Sequence, residues 1–121
     1  MSLTNHGENS VLSLVKGASS FWLALFTSAP SEEGTGTEVT GAGYSRQQVS
    51  FGTPSGGSMK NSAAIEFAPA ASDWGTASHW ALFDAATGGN MWWSGAVETP
   101  KPLYTGDIYR VAVGGLTLTM D

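Results

Sequence analysis

The sequence contains no cysteine, which excludes disulfide bonds and thiolate metal sites and leaves the redox compartment open. Charged residues are also scarce, at 12% of the chain, against about 25% in an average globular protein. The surface must therefore be covered by uncharged residues such as Ser, Thr, Gly, Asn and Ala. Because charged groups are depleted at the centres of protein interfaces, this composition suits a protein that lies against partners, although a plain secreted β-domain is also compatible with it.

Positively charged residues are particularly few. Its formal net charge is −5, and the cations Lys16, Arg46, Lys60, Lys101 and Arg110 are spread along the sequence. No basic patch could neutralise a run of phosphates, so we do not expect nucleic-acid binding.

Long apolar runs are missing as well. The N-terminus lacks the apolar stretch of a signal peptide, and nothing approaches the ~20 apolar residues of a membrane span. We therefore expect a soluble product, made in the cytoplasm and not inserted in a membrane. At 121 residues, the chain fits a single domain.

One segment near the N-terminus predicts a helix, from Leu3 to Gly17. Asn5, with Glu8 three residues later, resembles a capping box, and Gly17 could end the helix in a left-handed conformation. An apolar face is predicted at the spacing i, i+3, i+4, formed by Val11, Leu14 and Val15. About three turns are too short to persist alone in water, so this face should dock on the body of the protein or on a neighbouring subunit.

The remainder of the chain predicts strands separated by turns. The longest feature is a hairpin from Ser78 to Val97, whose glycine-rich turn spans Asp84 to Asn90 and whose arms carry Trp80, Trp92 and Trp93. Further strands are expected at residues 21–28, 44–51, 63–67, 108–113 and 116–121, with a possible short one at 37–40; residues 31–43 and 52–62 are expected to be loops, and residues 100–102 a stiff connector.

About seven to nine short strands predict a mainly β fold, an antiparallel β-sandwich or jelly roll with one short N-terminal helix. The predicted organisation is a helical segment at residues 1–17 and a single β-sandwich domain at residues 18–121. Trp74 is expected to close one end of the core.

No motif for catalysis or for a cofactor stands out. His6 and His79 are the only candidate bases near neutral pH, and each is more simply explained as a structural or surface residue. Four carboxylates could in principle supply a glycosidase pair, but turn and strand-end roles explain them better: Asp73, Asp84, Glu98 and Asp107. The acids Glu32, Glu33 and Glu38 are expected to lie in a solvated loop rather than around a cation. We expect no catalytic residue, no metal and no cofactor.

Several short motifs are similar to those of a known family. They are Leu25-Phe26-Thr27, Gly43-Tyr44-Ser45-Arg46, Trp74-Gly75, the segment from Phe83 to Asn90, and Gly106-Asp107. Together with the N-terminal segment, they resemble small tailed-bacteriophage virion proteins, often labelled tail fibre or capsid fibre proteins. The resemblance covers nearly the whole chain and implies a non-enzymatic structural protein of the virion.

The resemblance leaves three functions open. A compact chain without heptads or other repeats favours a capsid decoration subunit that binds the assembled shell. We expect this subunit to form a homotrimer at a three-fold position of the capsid. The alternative is a tail-tip or tail-fibre module that contacts the host surface, and a glycan-active enzyme is the third. The expected partners are copies of the chain itself and phage capsid or tail proteins.

Six apolar residues are the predicted interface. They lie on the helix and on the aromatic hairpin: Val11, Leu14, Val15, Trp80, Trp92 and Trp93. Large contiguous apolar patches usually mark contacts, and we expect one of Trp92 and Trp93 to support folding and the other to support association.

Overall fold

The structure is a computed structural model that describes residues 3–120, and it is mainly β with one short N-terminal helix, as predicted. The helix α1 spans Asn5–Ala18. The strands described are β1 (Phe21–Phe26), β2 (Gln47–Val49), β3 (Ser58–Lys60), β4 (Ile65–Glu66), β5 (Gly75–Phe83), β6 (Met91–Leu103), β7 (Arg110–Val111) and β8 (Thr117–Thr119).

The predicted helix is confirmed, but its ends differ from those expected. Thr4, not Asn5, is the N-cap, because its hydroxyl accepts a hydrogen bond of 3.1 Å from the backbone N–H of Gly7. Gly17 does not end the helix: it lies inside α1 and does not have a positive φ, and the helix continues to Ala18.

The helix docks on the body of the same chain through a face that includes only part of the predicted one, because Leu12 packs in the main core and Val15 packs against it, whereas Leu14 does neither. Leu12 is fully buried in the main core, whereas Leu14 is 75% exposed. Val11 and Val15 are half-buried. Beside Leu12, the side-chain oxygen of Asn9 accepts a 2.9 Å hydrogen bond from the backbone N–H of Gly57, which fixes the helix against the turn before β3.

Replacing Leu12 should destabilise the protein far more than replacing Leu14. Leu12→Ala should lower the free energy of unfolding by about 2–4 kcal/mol, because it opens a cavity in the core. Leu14→Ala, two residues further along the helix and exposed on its other side, should change it by less than about 0.5 kcal/mol. Urea unfolding of both variants measures the difference, and equal losses would show that α1 does not pack as described.

The larger sheet has the strand order β2-β1-β5-β6, with all neighbours antiparallel. The predicted hairpin is confirmed as β5 and β6, although both strands are longer than expected. Residues 100–102 belong to β6, where Lys101 and Pro102 pair with β5, so the predicted connector was wrong. Two irregularities interrupt the pairing of β5 with β6. At the first, the single β5 residue Ser78 lies opposite four β6 residues, 97–100.

The second layer is an antiparallel ribbon made from two distant parts of the chain. β3 pairs with β8, and β4 pairs with β7. The larger sheet continues into this ribbon beyond β2, because Phe51 bridges Asn61 and the N–H of Gly52 donates a 2.8 Å hydrogen bond to the carbonyl of Lys60. The two layers are therefore joined along the β2 side.

β3 was missed from the sequence, since it lies inside the predicted loop 52–62, whose Gly and Ser content is typical of turns. The strands predicted at 44–51, 63–67, 108–113 and 116–121 are present but shorter. Residue 121 lies outside the described part of the chain. The strand predicted at 37–40 is reduced to one bridge, between Glu38 and Phe26.

The main core lies between the two layers. Leu23, Leu25 and Leu82 from the larger sheet pack with residues of the ribbon such as Met59 and Leu118, and all five are buried. Trp74 is buried at this core, and its indole N–H donates a 2.9 Å hydrogen bond to the carbonyl of Ala42.

The other face of the larger sheet carries a smaller buried cluster of Ala24, Phe26, Ala81 and Phe83. A loop of the same chain covers it. Gly36 lies so close to Phe26 that an added Cβ would be 3.2 Å from the ring. Along β5, Trp80 and Leu82 face the main core while Ala81 and Phe83 face this cluster.

Candidate interaction surface

A buried ion pair ties the covering loop to the hairpin turn. The guanidinium of Arg46 donates two 2.9 Å hydrogen bonds to the carboxylate of Glu38, and its side chain is 8% exposed. The same guanidinium donates to the carbonyls of Ala85 and Gly88 at 3.0 and 2.8 Å and lies 3.7 Å from the centre of the Phe83 ring. We call these five residues the Arg46 clasp.

Tyr44 connects the Arg46 clasp to the larger sheet. Its hydroxyl donates a 2.6 Å hydrogen bond to Glu38 and accepts one of 3.1 Å from the backbone N–H of Leu25. Burial, together with the bond to Glu38, raises the pKa of Tyr44 far above its ordinary value. Tyr44 therefore stays a neutral donor over the whole physiological range.

The turn held by the clasp positions Trp92. The carboxylate of Asp84 accepts hydrogen bonds from the backbone N–H of Asn90, at 2.8 Å, and from the indole N–H of Trp92, at 3.1 Å. The Trp92 ring also meets Phe21 edge to face, with the ring centres 5.2 Å apart. Trp92 remains 43% exposed, so a large aromatic surface is held rigidly at the end of the hairpin.

The hydrogen bond from Asn90 and then that from Trp92 hold the pKa of Asp84 below its ordinary value. A carboxyl whose pKa is lower in the folded state contributes stability above its unfolded pKa of about 3.9, and this contribution disappears as the pH falls through the folded pKa. Stability measured by urea unfolding should therefore fall in this acid range less steeply for Asp84→Asn than for the wild type. Equal slopes would contradict the assigned role.

Trp93 and Trp92 differ in their surroundings. Trp93 is half-buried and packs against the main core. Both line a shallow polar depression of about 240 Å³ with Pro30, Ser31 and Glu32. The hairpin end thus combines one aromatic ring used for packing with one that remains available for contact.

The larger concave feature is a groove of about 540 Å³ between the two layers, on the side away from β2. One wall is β6 from Gly95 to Glu98, and the opposite wall is formed by residues 109–112 and 115–117. Leu23, Leu25 and Trp80 line it as well. Trp80 covers Gly95, because a Cβ on this glycine would lie 2.9 Å from the indole ring, so the position suits a residue without a side chain.

The six predicted interface residues do not form one surface. Trp80 lines the groove, whereas Trp92 and Trp93 line the depression at the hairpin end. The three helix residues line neither feature, and α1 contacts β3. Whether any of the six contacts another chain stays a prediction.

The predicted turn roles of the acidic residues are confirmed at three positions. Asp73 accepts from the N–H of Thr105 and Asp107 from the N–H of Tyr104, both at 2.9 Å, and Asp84 holds the hairpin turn. Glu98 lies exposed on β6. Across residues 3–120, no group of three or more His, Cys, Asp or Glu side chains could hold a metal ion.

The two histidines lie apart from these features. His79 is half-buried on β5, and its Nδ1 lies 2.8 Å from the hydroxyl of Ser78. His6 is exposed in the first turn of α1.

The sequence analysis missed the structural roles of two polar residues, Glu38 and Asn61. Glu38 was assigned to a solvated loop, which is wrong because it is bound by Arg46 and Tyr44. Asn61 is 2% exposed, and its side chain makes three hydrogen bonds. Arg46 could have indicated the role of Glu38, because an arginine within a predicted strand needs a hydrogen-bond acceptor. Nothing in the sequence distinguished Asn61 from an asparagine in a turn.

A family model described as "Podophage GP4 fiber I protein gp80" matches residues 2–119. The chain belongs to this family. It is therefore a phage fibre protein, a structural component of the virion, and interacts with other virion proteins. No curated protein matches the sequence. Among the helices described, none is long and apolar enough to cross a membrane.

The motifs that resembled phage virion proteins largely serve to hold turns and loops in this member of the GP4 fiber I family. Tyr44 and Arg46 belong to the clasp or support it, the segment from Phe83 to Asn90 is the turn that the clasp holds, and Asp107 closes a turn. These motifs therefore account for the shape of the protein, and the groove and the hairpin end are two surfaces on which aromatic or apolar side chains are presented.

Proposed function

We propose that the chain is a non-enzymatic module of a tail fibre, which attaches to neighbouring fibre or tail proteins through its apolar surfaces. The observation that carries this proposal is how the family-like residues Arg46, Tyr44 and Asp84 are used. They hold the fold, the first two through Glu38, while the concave surface is lined mostly by backbone and apolar side chains. Such a surface supports binding rather than chemistry, and the family description, which names a fiber, supports the placement.

Capsid decoration is the second candidate. It is supported by the short chain and by a fold whose core lies between two small layers, since neither feature is typical of a long fibre shaft. A decoration subunit would stabilise the shell by binding only its assembled form.

Immunogold electron microscopy of intact virions with an antibody against this chain separates the two placements. We expect gold particles at the tail. Gold distributed over the head would favour decoration and contradict the tail-fibre proposal. Labelling of virions that lack the gene product is the control for antibody specificity.

The non-enzymatic part of the proposal has its own test. The purified protein, incubated with polysaccharide from the surface of the host, should release no new reducing ends. Release that is abolished by Asp73→Ala, Asp84→Ala, Glu98→Ala or Asp107→Ala would instead establish a glycan-active enzyme.

We also propose that the chain forms a homotrimer, with Trp92 at the contact. Trp92→Ala should reduce self-association, seen by light scattering as a lower mass at the same concentration, because it removes an exposed aromatic ring. Trp93→Ala should instead lower the free energy of unfolding by about 2–3 kcal/mol, because this ring packs on the core. A monomeric wild type would refute the trimer.

A further inference from the structure

The groove between the layers is a place where the sheet fails to close. Starting at β6, the strands follow one another through β5, β1 and β2 and continue into the ribbon through the pairing of residues 50–52 with 60–62. The ribbon ends with the segments that contain β7 and β8. These segments form the wall opposite β6, so the groove separates the two ends of one rolled sheet.

Both walls of this groove present strand edges. Within residues 3–120, β6 is hydrogen-bonded to β5 alone, β7 to β4 alone and β8 to β3 alone. An unpaired edge carries a row of backbone N–H and C=O groups that can pair with another chain. On β6, Pro100 and Pro102 remove two backbone donors from the second half of the strand, so pairing is favoured at residues 94–98, of which residues 95–98 line the groove.

The interior of the groove is apolar. Leu23 and Leu25 are buried core residues, yet they line it together with Trp80 and Val111. The volume of about 540 Å³ is within the range of ligand pockets, roughly 300–1,000 Å³. An occupant therefore needs apolar side chains on the side facing the core and backbone polar groups at both flanks.

We propose that this groove receives an extended segment of another virion protein, which pairs as a strand with β6 and with the β7–β8 wall and so closes the rolled sheet. Strand addition meets both requirements at once: main-chain hydrogen bonds satisfy the edges, and alternate side chains fill the interior. Five residues of such a strand would span about 17 Å. The proposal rests on the fibre role of the chain and specifies how it holds its partner.

Charge on the two walls favours one kind of segment. Glu98 is exposed on the β6 wall, and Arg110 is on the opposite wall. Arg110 is only loosely engaged, since its Nε lies 3.9 Å from the carboxylate of Glu66 and both side chains are more than half exposed. A segment with a basic residue beside Glu98 and an acidic residue beside Arg110 would match both, and such pairs fix register more than affinity.

The test uses the purified full chain and a nine-residue synthetic peptide in which valine alternates with threonine, lysine and glutamate. With saturating peptide, amide hydrogen exchange at residues 94–98 and 109–112 should slow by roughly tenfold or more, because both edges become paired. A peptide of the same sequence, N-methylated at alternate residues, keeps its side chains but loses donors, and should bind roughly tenfold more weakly.

Matched variants locate the binding. Thr117→Trp places a bulky ring in the groove and should weaken peptide binding by roughly tenfold, whereas Thr119→Trp, exposed on the same strand outside the groove, should not. Ala112→Trp, on the same wall, repeats the test should Thr117→Trp fail to fold.

Three outcomes would overturn the proposal. The first is that the peptide does not slow hydrogen exchange in the groove, and the second is that the N-methylated peptide binds equally well. The third is that, without peptide, exchange at both walls slows as the concentration of the chain rises, which would assign the groove to a second copy of the chain. Each of them leaves the immunogold result unaffected, so failure of this proposal is distinguishable from failure of the fibre role.

Discussion

Asn61→Leu should lower the free energy of unfolding by about 3–5 kcal/mol, the largest loss expected from a single polar residue of this chain. The Asn61 amide nitrogen donates to the carbonyls of Ala63 and Ala112, at 2.8 and 2.9 Å, and its oxygen accepts from the N–H of Leu116, at 2.9 Å. Leucine has a similar size but offers no hydrogen bond to the Ala63 carbonyl or the Leu116 N–H in this buried site, and it leaves the Ala112 carbonyl with only its bond from the N–H of Gly115.

The position of Asn61 explains why the effect should be large. Its own N–H donates to the carbonyl of Leu116, and its carbonyl accepts from the N–H of Gly114. The residue thus bridges the interruption between the β3–β8 and β4–β7 pairs. Asn61→Leu keeps these two backbone bonds but removes the side-chain bonds to Ala112 and Leu116 that cross the same interruption.

Urea unfolding measures the loss, and Gln48→Leu is the matched control. Gln48 carries the same amide group, but it is exposed on β2, so its replacement should change the stability by less than about 0.5 kcal/mol. A loss below about 1 kcal/mol for Asn61→Leu would show that the ribbon does not depend on this side chain.

Arg46→Met should cost about 3 kcal/mol, the second large effect, because it leaves the Glu38 carboxylate in a largely buried site without its cation. It also removes the two hydrogen bonds to the turn carbonyls of Ala85 and Gly88. Urea unfolding measures this loss, and we expect increased hydrogen exchange in the turn.

The chain offers an internal control for this ion pair. Arg110→Met breaks a pair with Glu66 that is 3.9 Å long and more than half exposed, and should cost less than about 1 kcal/mol. The double variant of Arg46→Met and Glu38→Gln should be more stable than the sum of the single losses indicates, since neither charge is then left unpaired. Strict additivity would contradict the described contact.

The hairpin was predictable from the sequence because its signals are local. Alternating apolar residues and a glycine-rich turn define β5 and β6, and a capped helix at the N-terminus is equally local. The predicted face of α1 was wrong at Leu14 and omitted Leu12, because both leucines are apolar and the sequence did not reveal β3, which α1 contacts. The prediction for Val15 agrees with its packing against the main core.

The ribbon was harder to predict, since it pairs residues about fifty positions apart in short strands. Ser58–Lys60 has the composition of a turn, and only its pairing with Thr117–Thr119 makes it a strand. Buried polar residues such as Asn61 and Glu38 were missed for the same reason, because their partners are set by tertiary contacts.

The candidate site could be predicted only in part. Trp80 and Trp92 were identified as large aromatic residues suited to a contact, and both lie on concave surfaces. The groove itself could not be predicted, because it arises where the two ends of the rolled sheet meet without pairing, and neither end shows this in its sequence.

An electron cryo-microscopy reconstruction of the virion that resolves this chain is the most direct test. We predict that the chain lies in a fibre attached to the tail, with an extended segment of a neighbouring protein between residues 95–98 and residues 109–117. A chain located on the capsid shell, with no protein density in this groove, would contradict the account.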